Sequence, residues 1–226
     1  MPPRKTPEKR PARPALHPLA QLALRGCLVA LDAVINLQEF LQNSSHMAFL
    51  AINDCEKELD RMERQIDEEL PSAITEVTEP EARELLASLK FITDLERIGD
   101  LVLWVAHRVQ VLQLKLPAKD NEQLLAMAAT VHKMLQQVHQ GFAERDFDRA
   151  RSVLVVDSDI DQIYRSLFRR HFQKTPEKHI QRSTDVLLMA QALERAGDHA
   201  KNLAEELYHL IEGHSMRHLP KKKLRD

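Results

Sequence analysis

The chain has 226 residues, of which 43% are hydrophobic, 29% charged and 4% aromatic. A chain of this length is long enough to form one or two domains with a buried core. Its few aromatic residues and its five glycines argue against an all-β sandwich or barrel, which needs turn residues every 8–12 positions or so. The two cysteines, Cys27 and Cys55, form no disulfide framework or zinc ribbon. We expect both to pack as small apolar groups in a reducing cytosol.

The formal net charge is only −2, but the charge is spread unevenly along the chain. Residues 1–13 and residues 217–226 each carry five basic residues against one acidic residue. The body between these basic ends is therefore acidic, and an acidic body is a poor binder of nucleic acid. The proline-rich start predicts a basic tail over residues 1–16, and a second basic tail is predicted over residues 214–226.

We predict neither a membrane-spanning segment nor a signal peptide. The longest apolar stretch, Leu19 to Leu37, is interrupted by Arg25, Asp32 and Asn36, whereas a spanning helix needs about 20 mostly uncharged residues. The start of the chain is basic, but it lacks a clean apolar block followed by small residues.

Apolar residues recur every three or four positions through the rest of the chain, which is typical of helices. Prolines at 71, 80, 117 and 176 punctuate this pattern. The pattern predicts six helices, at about 17–43, 45–70, 80–114, 119–142, 147–173 and 177–212. Long helices joined by short connections form antiparallel bundles, so the predicted fold class is all-α.

An internal repeat divides the helices into two sets of three. Residues 95–109 read LERIGDLVLWVAHRV and residues 193–207 read LERAGDHAKNLAEEL, at an offset of 98. Earlier in each half, residues 56–60 match residues 157–161 at an offset of 101. We therefore predict two tandem three-helix bundles, over residues 17–116 and 117–213.

Gly99 and Gly197 lie at matching positions inside the third helix of each repeat. Glycine inside a helix costs about 1 kcal/mol relative to alanine, so its use here needs a reason. Two readings follow from the missing Cβ: close packing of two helices, or the approach of a bulky ion or partner to the backbone.

Acidic residues four positions apart share one face of a helix and repel each other. Such pairs occur on the second and third helices of both repeats: Glu56 and Asp60, Glu96 and Asp100, Asp157 and Asp161, and Glu194 and Asp198. A multivalent cation shared between pairs would convert the repulsion into stabilisation. These oxygen-rich sets suit magnesium, calcium, manganese or iron and do not resemble a zinc site.

In the second repeat the acidic stripe continues through Asn202, Glu205 and His209, which we regard as additional metal-face residues. The alternative is a solvated acidic face, partly neutralised by Arg97 and Arg195. The sequence has no phosphate-binding loop and no activated nucleophile. Trp104, the one tryptophan, is predicted to pack in the core or at an interface.

The doubled LER(I/A)GD motif and the acidic pair on the helix before each copy resemble the PhoU family of phosphate-signalling regulators. The resemblance covers about residues 19–213 and implies metal ions, such as iron, on the four acidic pairs. Asn202 matches the asparagine that the family usually places four residues after the motif aspartate, whereas Trp104 takes its place in the first repeat.

The resemblance also implies a cytoplasmic, non-enzymatic adaptor that damps phosphate uptake and the phosphate-starvation response. Its expected partners are the ATPase subunit of the phosphate ABC transporter and a sensor histidine kinase. The protein would be peripheral to the membrane only through these partners, and a homodimer is the expected form. No nucleic-acid partner is expected.

Two other functions remain open on the sequence. One is a carboxylate-bridged iron storage or redox bundle, which needs two Glu-x-x-His motifs, but the chain supplies only Glu206-x-x-His209. The other is a metal-free helical scaffold.

Overall fold

The computed structural model describes residues 16–112, 116–174 and 180–213, and within the helices it leaves a few side chains undescribed, among them that of Asp157. The described residues form six long helices and one short 3-10 helix (Ile74–Glu76), with no strand among them. The helices are α1 (Pro18–Asn43), α2 (His46–Ala73), α3 (Glu79–Leu112), α4 (Ala118–Glu144), α5 (Phe147–Lys174) and α6 (Ile180–Glu212). The predicted all-α fold class is confirmed. The predicted tails over residues 1–16 and 214–226 lie almost wholly outside the described residues.

Local signals set the helix ends. Ser45 caps the start of α2 by accepting a hydrogen bond from the Ala48 backbone N–H at 3.3 Å. The Glu81 carboxylate accepts hydrogen bonds from the Thr78 backbone N–H at 2.8 Å and from the Thr78 hydroxyl at 2.7 Å, which fixes the entry to α3. Helix α1 ends at Ser44, whose backbone is left-handed, with φ 54°.

The predicted end of α2 before Pro71 is wrong, because the helix runs through this proline to Ala73. A proline removes one backbone hydrogen bond from the preceding turn. Here the loss falls in the last turn, where the Ser72 hydroxyl donates to the Glu69 carbonyl at 2.9 Å. The proline therefore weakens the end of the helix without stopping it.

The helices pack as two sets of three. Helices α1, α2 and α3 contact one another, as do α4, α5 and α6, and the two sets meet through α1 against α4 and α3 against α6. Aromatic rings contribute to the core shared by the sets, since Phe91 of α3 and Phe142 of α4 meet edge-on with 4.8 Å between ring centroids.

Helix α1 is long and apolar enough to cross a membrane by length and composition alone. Half of the most apolar 18-residue stretch of α1 is buried inside the bundle, where α1 contacts α2, α3 and α4. The core helix of a soluble protein can have the same length and composition, so the packing of α1 accounts for its apolar sequence.

Candidate metal-binding faces and the α3–α6 seam

Two glycine contacts hold the second and third helices of each bundle together. A Cβ placed on Gly99 would lie 2.7 Å from the Leu59 Cδ1 atom, and a Cβ on Gly197 would lie 2.6 Å from the Ile160 Cδ1 atom. Leu59 and Ile160 are themselves repeat equivalents at the offset of 101. Of the two readings of these glycines, close helix packing is therefore confirmed.

The first glycine contact sits among the acidic residues that we call the first acidic face: Glu56, Asp60, Glu96 and Asp100. Leu59 lies next to Asp60 on α2, and Gly99 lies next to Asp100 on α3. Because α2 and α3 approach closely at Gly99, they bring the two acidic pairs into one electrostatic cluster.

The charges of this face act on one another. Burial, together with the negative charges of Asp100 and Glu63, raises the pKa of the Glu96 carboxyl to about 7. Burial also raises the pKa of Glu56, with Asp100 and Asp60 adding to the effect. The Glu96 side chain is only 13% exposed, and its Oε2 atom accepts no hydrogen bond. The ionised form of both carboxyls is therefore disfavoured, and nearby positive charge offsets part of this penalty.

Arginines supply part of that positive charge. The Arg97 guanidinium lies 3.3 Å from the Glu96 carboxylate and 3.4 Å from that of Asp100, and Arg64 pairs with Asp60 at 2.7 Å. Arg97 was predicted from the sequence to be a neutralising residue, whereas Arg64 was not. The repeat pointed to Arg64, because Arg165 occupies the equivalent position in the second repeat and pairs with Asp161 at 3.3 Å.

The second acidic face comprises Asp157, Asp161, Glu194 and Asp198. Ile160 lies against Gly197, so the helices that carry the two acidic pairs meet as they do in the first bundle. The side chain of Asp157 lies outside the described part of the structure. Glu194 and Asp198 both take part in polar interactions.

The side chains of the two faces that the structure describes do not form a preformed metal site. Among the residues that the structure describes, no three histidine, cysteine, aspartate or glutamate side chains are grouped closely enough to hold a metal ion. The donors are carboxylates, as hard cations require, and Glu96 has an oxygen without a hydrogen-bond partner. The chemistry of the donor set fits a cation, and side-chain rearrangement would have to complete its coordination.

The cysteines offer no alternative ligands. Burial raises the pKa of the Cys27 thiol to about 12, and burial with the nearby Asp32 and Asp54 charges raises that of Cys55 to about 11. Metal binding requires the thiolate, which is scarce at neutral pH for both residues.

The three additional residues of the acidic stripe, Asn202, Glu205 and His209, lie beside α3 and not beside α5. Asn202, Glu205 and His209 line a cleft of about 600 Å³ between α3 and α6, which we call the glutamate cleft. Lys90 and Asp94 line it from α3. Asp94 accepts a hydrogen bond from the Asn202 amide at 3.4 Å and lies 2.7 Å from Nδ1 of His199. Glu206 lies 3.0 Å from the Lys90 ammonium and 3.7 Å from His209.

These contacts run between antiparallel helices. Residues early in α3 meet residues late in α6, and Arg108 late in α3 pairs with Asp185 early in α6 at 3.1 Å. We call this contact the α3–α6 seam. The partners Lys90 and Asp94 could not be predicted from the sequence, because neither belongs to the repeated motif.

The fold consists of two tandem three-helix bundles, and in each the helix with the LER-x-GD motif packs closely at its glycine. These features define a class of duplicated helical proteins. The chain belongs to the PhoU domain family, whose model matches it twice, over residues 25–109 and 124–207. This confirms the resemblance drawn from the doubled motif.

Individual relatives agree with the family match. The chain is 30% identical over 174 residues to a protein from Pseudomonas aeruginosa named phosphate-specific transport system accessory protein PhoU homolog, covering 74% of this chain and 72% of the relative. It is 36% identical over 161 residues to the protein of the same name from Rhizobium meliloti, covering 69% and 68% of the two chains. The crystal structure of PhoU from Pseudomonas aeruginosa superposes with a TM-score of 0.78 at 26% identity, over 87% of this chain and 96% of that one.

Proposed function

We propose that this protein is an accessory protein of a phosphate-specific transport system that negatively regulates phosphate uptake and phosphate-starvation signalling. It acts as a cytoplasmic, non-enzymatic adaptor between the ATPase subunit of the phosphate ABC transporter and a sensor histidine kinase. The family membership, the names of the relatives and the doubled motif support this role.

We further propose that multivalent cations, such as iron, manganese or magnesium, bind the two acidic faces. The observation that carries this proposal is the first acidic face, where the carboxyls of two helices act on one another electrostatically and the pKa of Glu96 is raised to about 7. A bound cation would favour the ionised carboxylates, so its binding releases protons near neutral pH. The expected homodimer could share such ions between copies.

The metal-binding role is tested by elemental analysis of untagged protein purified without chelator. We expect the wild type to retain a stoichiometric metal and the Glu194→Ala/Asp198→Ala variant to lose much of it. The matched control is Glu144→Ala/Asp148→Ala, which removes two exposed acidic residues at the same sequence spacing outside the motifs. Equal metal content in all three folded proteins would contradict metal binding at the second face.

The regulatory role is tested separately by deleting the gene and measuring phosphate-responsive transcripts in high phosphate. We expect derepression, reversed by the wild-type gene. Unchanged transcript levels would contradict negative regulation whatever the metal content.

A further inference from the structure

A second cleft lies along the α3–α6 seam, centred where the two copies of the motif face each other. Its volume is about 410 Å³, and we call it the tryptophan cleft. Arg97, Asp100 and Trp104 line it from α3, and Arg195 and His199 line it from α6. Arg97 and Arg195 are repeat equivalents, so the seam brings the arginines of both motifs to one place.

Trp104 gives this cleft an exposed aromatic surface. The indole is 40% exposed, so of the two places predicted for Trp104, the core or an interface, the structure excludes the core. The Arg108 guanidinium lies 5.1 Å from the centroid of the ring and is itself held by Asp185. The ring is therefore in contact with Arg108 and still partly open to solvent. Tryptophan and arginine are the residues most enriched at the energetic centres of protein interfaces.

Two of the charged residues that line the cleft, Arg97 and Asp100, pair with each other at 3.4 Å, which leaves the charge of Arg195 unbalanced. Arg97 is paired with Glu96 and Asp100, but Arg195 is exposed and forms no ion pair with any residue that the structure describes. His107 adds an exposed imidazole to the same cleft. An unpaired arginine beside an exposed indole favours a partner segment that carries both a carboxylate and an apolar side chain.

We propose that the tryptophan cleft is a docking site for an acidic segment of a protein partner, which places a carboxylate on Arg195 and an apolar side chain against Trp104. The cleft is open, because Arg97 is 54% exposed and Trp104 40% exposed. Sites for small molecules bury about 70–90% of the ligand, so an open cleft suits a protein segment better. This proposal rests on the proposed adaptor function and names where on the molecule the adaptor engages its partner.

Trp104 provides a direct readout, since it is the one tryptophan of the chain and its emission reports on the cleft. The probes are the purified transporter ATPase subunit, the cytoplasmic part of the kinase, and short overlapping peptides that cover both. We expect one peptide with several acidic residues and an apolar residue to shift the emission of Trp104 to shorter wavelength. The same peptide with its acidic residues changed to amides should bind at least about tenfold more weakly.

Charge reversal tests the contact itself. Arg195→Glu should weaken binding of the peptide and of the intact partner at least about tenfold, and a peptide with lysine in place of the critical acidic residue should restore binding to this variant. The matched control is Arg169→Glu, which makes the same charge change at an exposed position on α5 and should bind like the wild type. Trp104→Ala, assayed by calorimetry, should weaken binding without loss of helical content.

The other outcomes overturn the docking proposal. If the intact partner binds Arg195→Glu and the wild type equally, the adaptor function stands but its docking site lies elsewhere. If inorganic phosphate or ATP alone shifts the emission and no peptide does, the cleft is a small-anion site. If Arg195→Glu alters only the oligomeric state, the cleft joins two copies of this chain. If neither partner binds the wild type at all, the adaptor function itself fails.

Discussion

The two bundles are alike where their own helices pack and different where they face each other across the α3–α6 seam. Inside each bundle a glycine receives the δ-methyl group of a leucine or isoleucine, at 2.7 Å from a Cβ on Gly99 and 2.6 Å from a Cβ on Gly197. At the seam, equivalent positions have diverged. Trp104 is exposed in one cleft, whereas Asn202 donates to Asp94 in the other.

This difference separates two kinds of constraint. Packing within a bundle limits residue size, because a close helix contact leaves little room for additional atoms. The seam determines only which residues meet, so the clefts at its two ends can differ in charge and polarity. One end holds the glutamate cleft with its paired Lys90, and the other holds the tryptophan cleft with Arg195.

The largest expected effect on stability comes from disrupting the glycine contact that both bundles share. Gly99→Val and Gly197→Val should each destabilise the protein by about 1–3 kcal/mol, because overpacking forces α2 from α3 or α5 from α6. The measurement is the free energy of unfolding in urea. Alanine at either position is the control and should be nearly neutral, since the δ-methyl group can move and alanine favours a helix by about 1 kcal/mol over glycine. Similar losses in both repeats are required; a loss at one glycine alone would mean that the bundles do not share this contact.

A smaller effect is expected from Glu96, whose raised pKa makes its ionised form unfavourable in the folded state. Between its ordinary pKa and about 7, the folded state binds more protons than the unfolded state, so the wild type loses stability as pH rises through this window. Glu96→Gln abolishes this loss and should be about 1 kcal/mol more stable than the wild type at pH 8, with little difference near pH 5.

The same variant sharpens the comparison between the bundles. Urea unfolding of Glu96→Gln beside Glu194→Gln, with and without manganese, shows whether the second acidic face carries the same penalty. Manganese should stabilise the wild type more than Glu96→Gln at pH 8. A Glu96→Gln variant that tracks the wild type at every pH would disprove the raised pKa.

The smallest effect is expected at the seam. Lys90→Ala removes an ion pair with Glu206, in which the lysine side chain is 56% exposed, and exposed pairs contribute roughly 0–1 kcal/mol. We expect a fall in stability of less than about 0.5 kcal/mol that disappears at high salt. A loss of several kcal/mol would show that Glu206 depends on Lys90 far more than its exposure implies.

The repeat made the fold predictable, because two matched blocks at offsets of 98 and 101 located the equivalent helices before any contact was known. It also located Gly99 and the acidic pair around it. The face that Asn202, Glu205 and His209 present could not be predicted, because helical spacing shows which residues share a face but not which helix that face meets. The antiparallel pairing of α3 with α6, which decides this, leaves no periodic signal in either sequence.

The tandem arrangement has a consequence at Trp104 and Asn202. If each repeat were a separate chain assembled as a symmetric pair, both copies would carry the same residue at this position, and the two ends of the seam would be identical. Joining the repeats in one chain removes that restriction. A substitution such as Trp104 then changes one cleft alone, so a single fused chain presents two chemically distinct surfaces that no symmetric pair of half-length chains can offer.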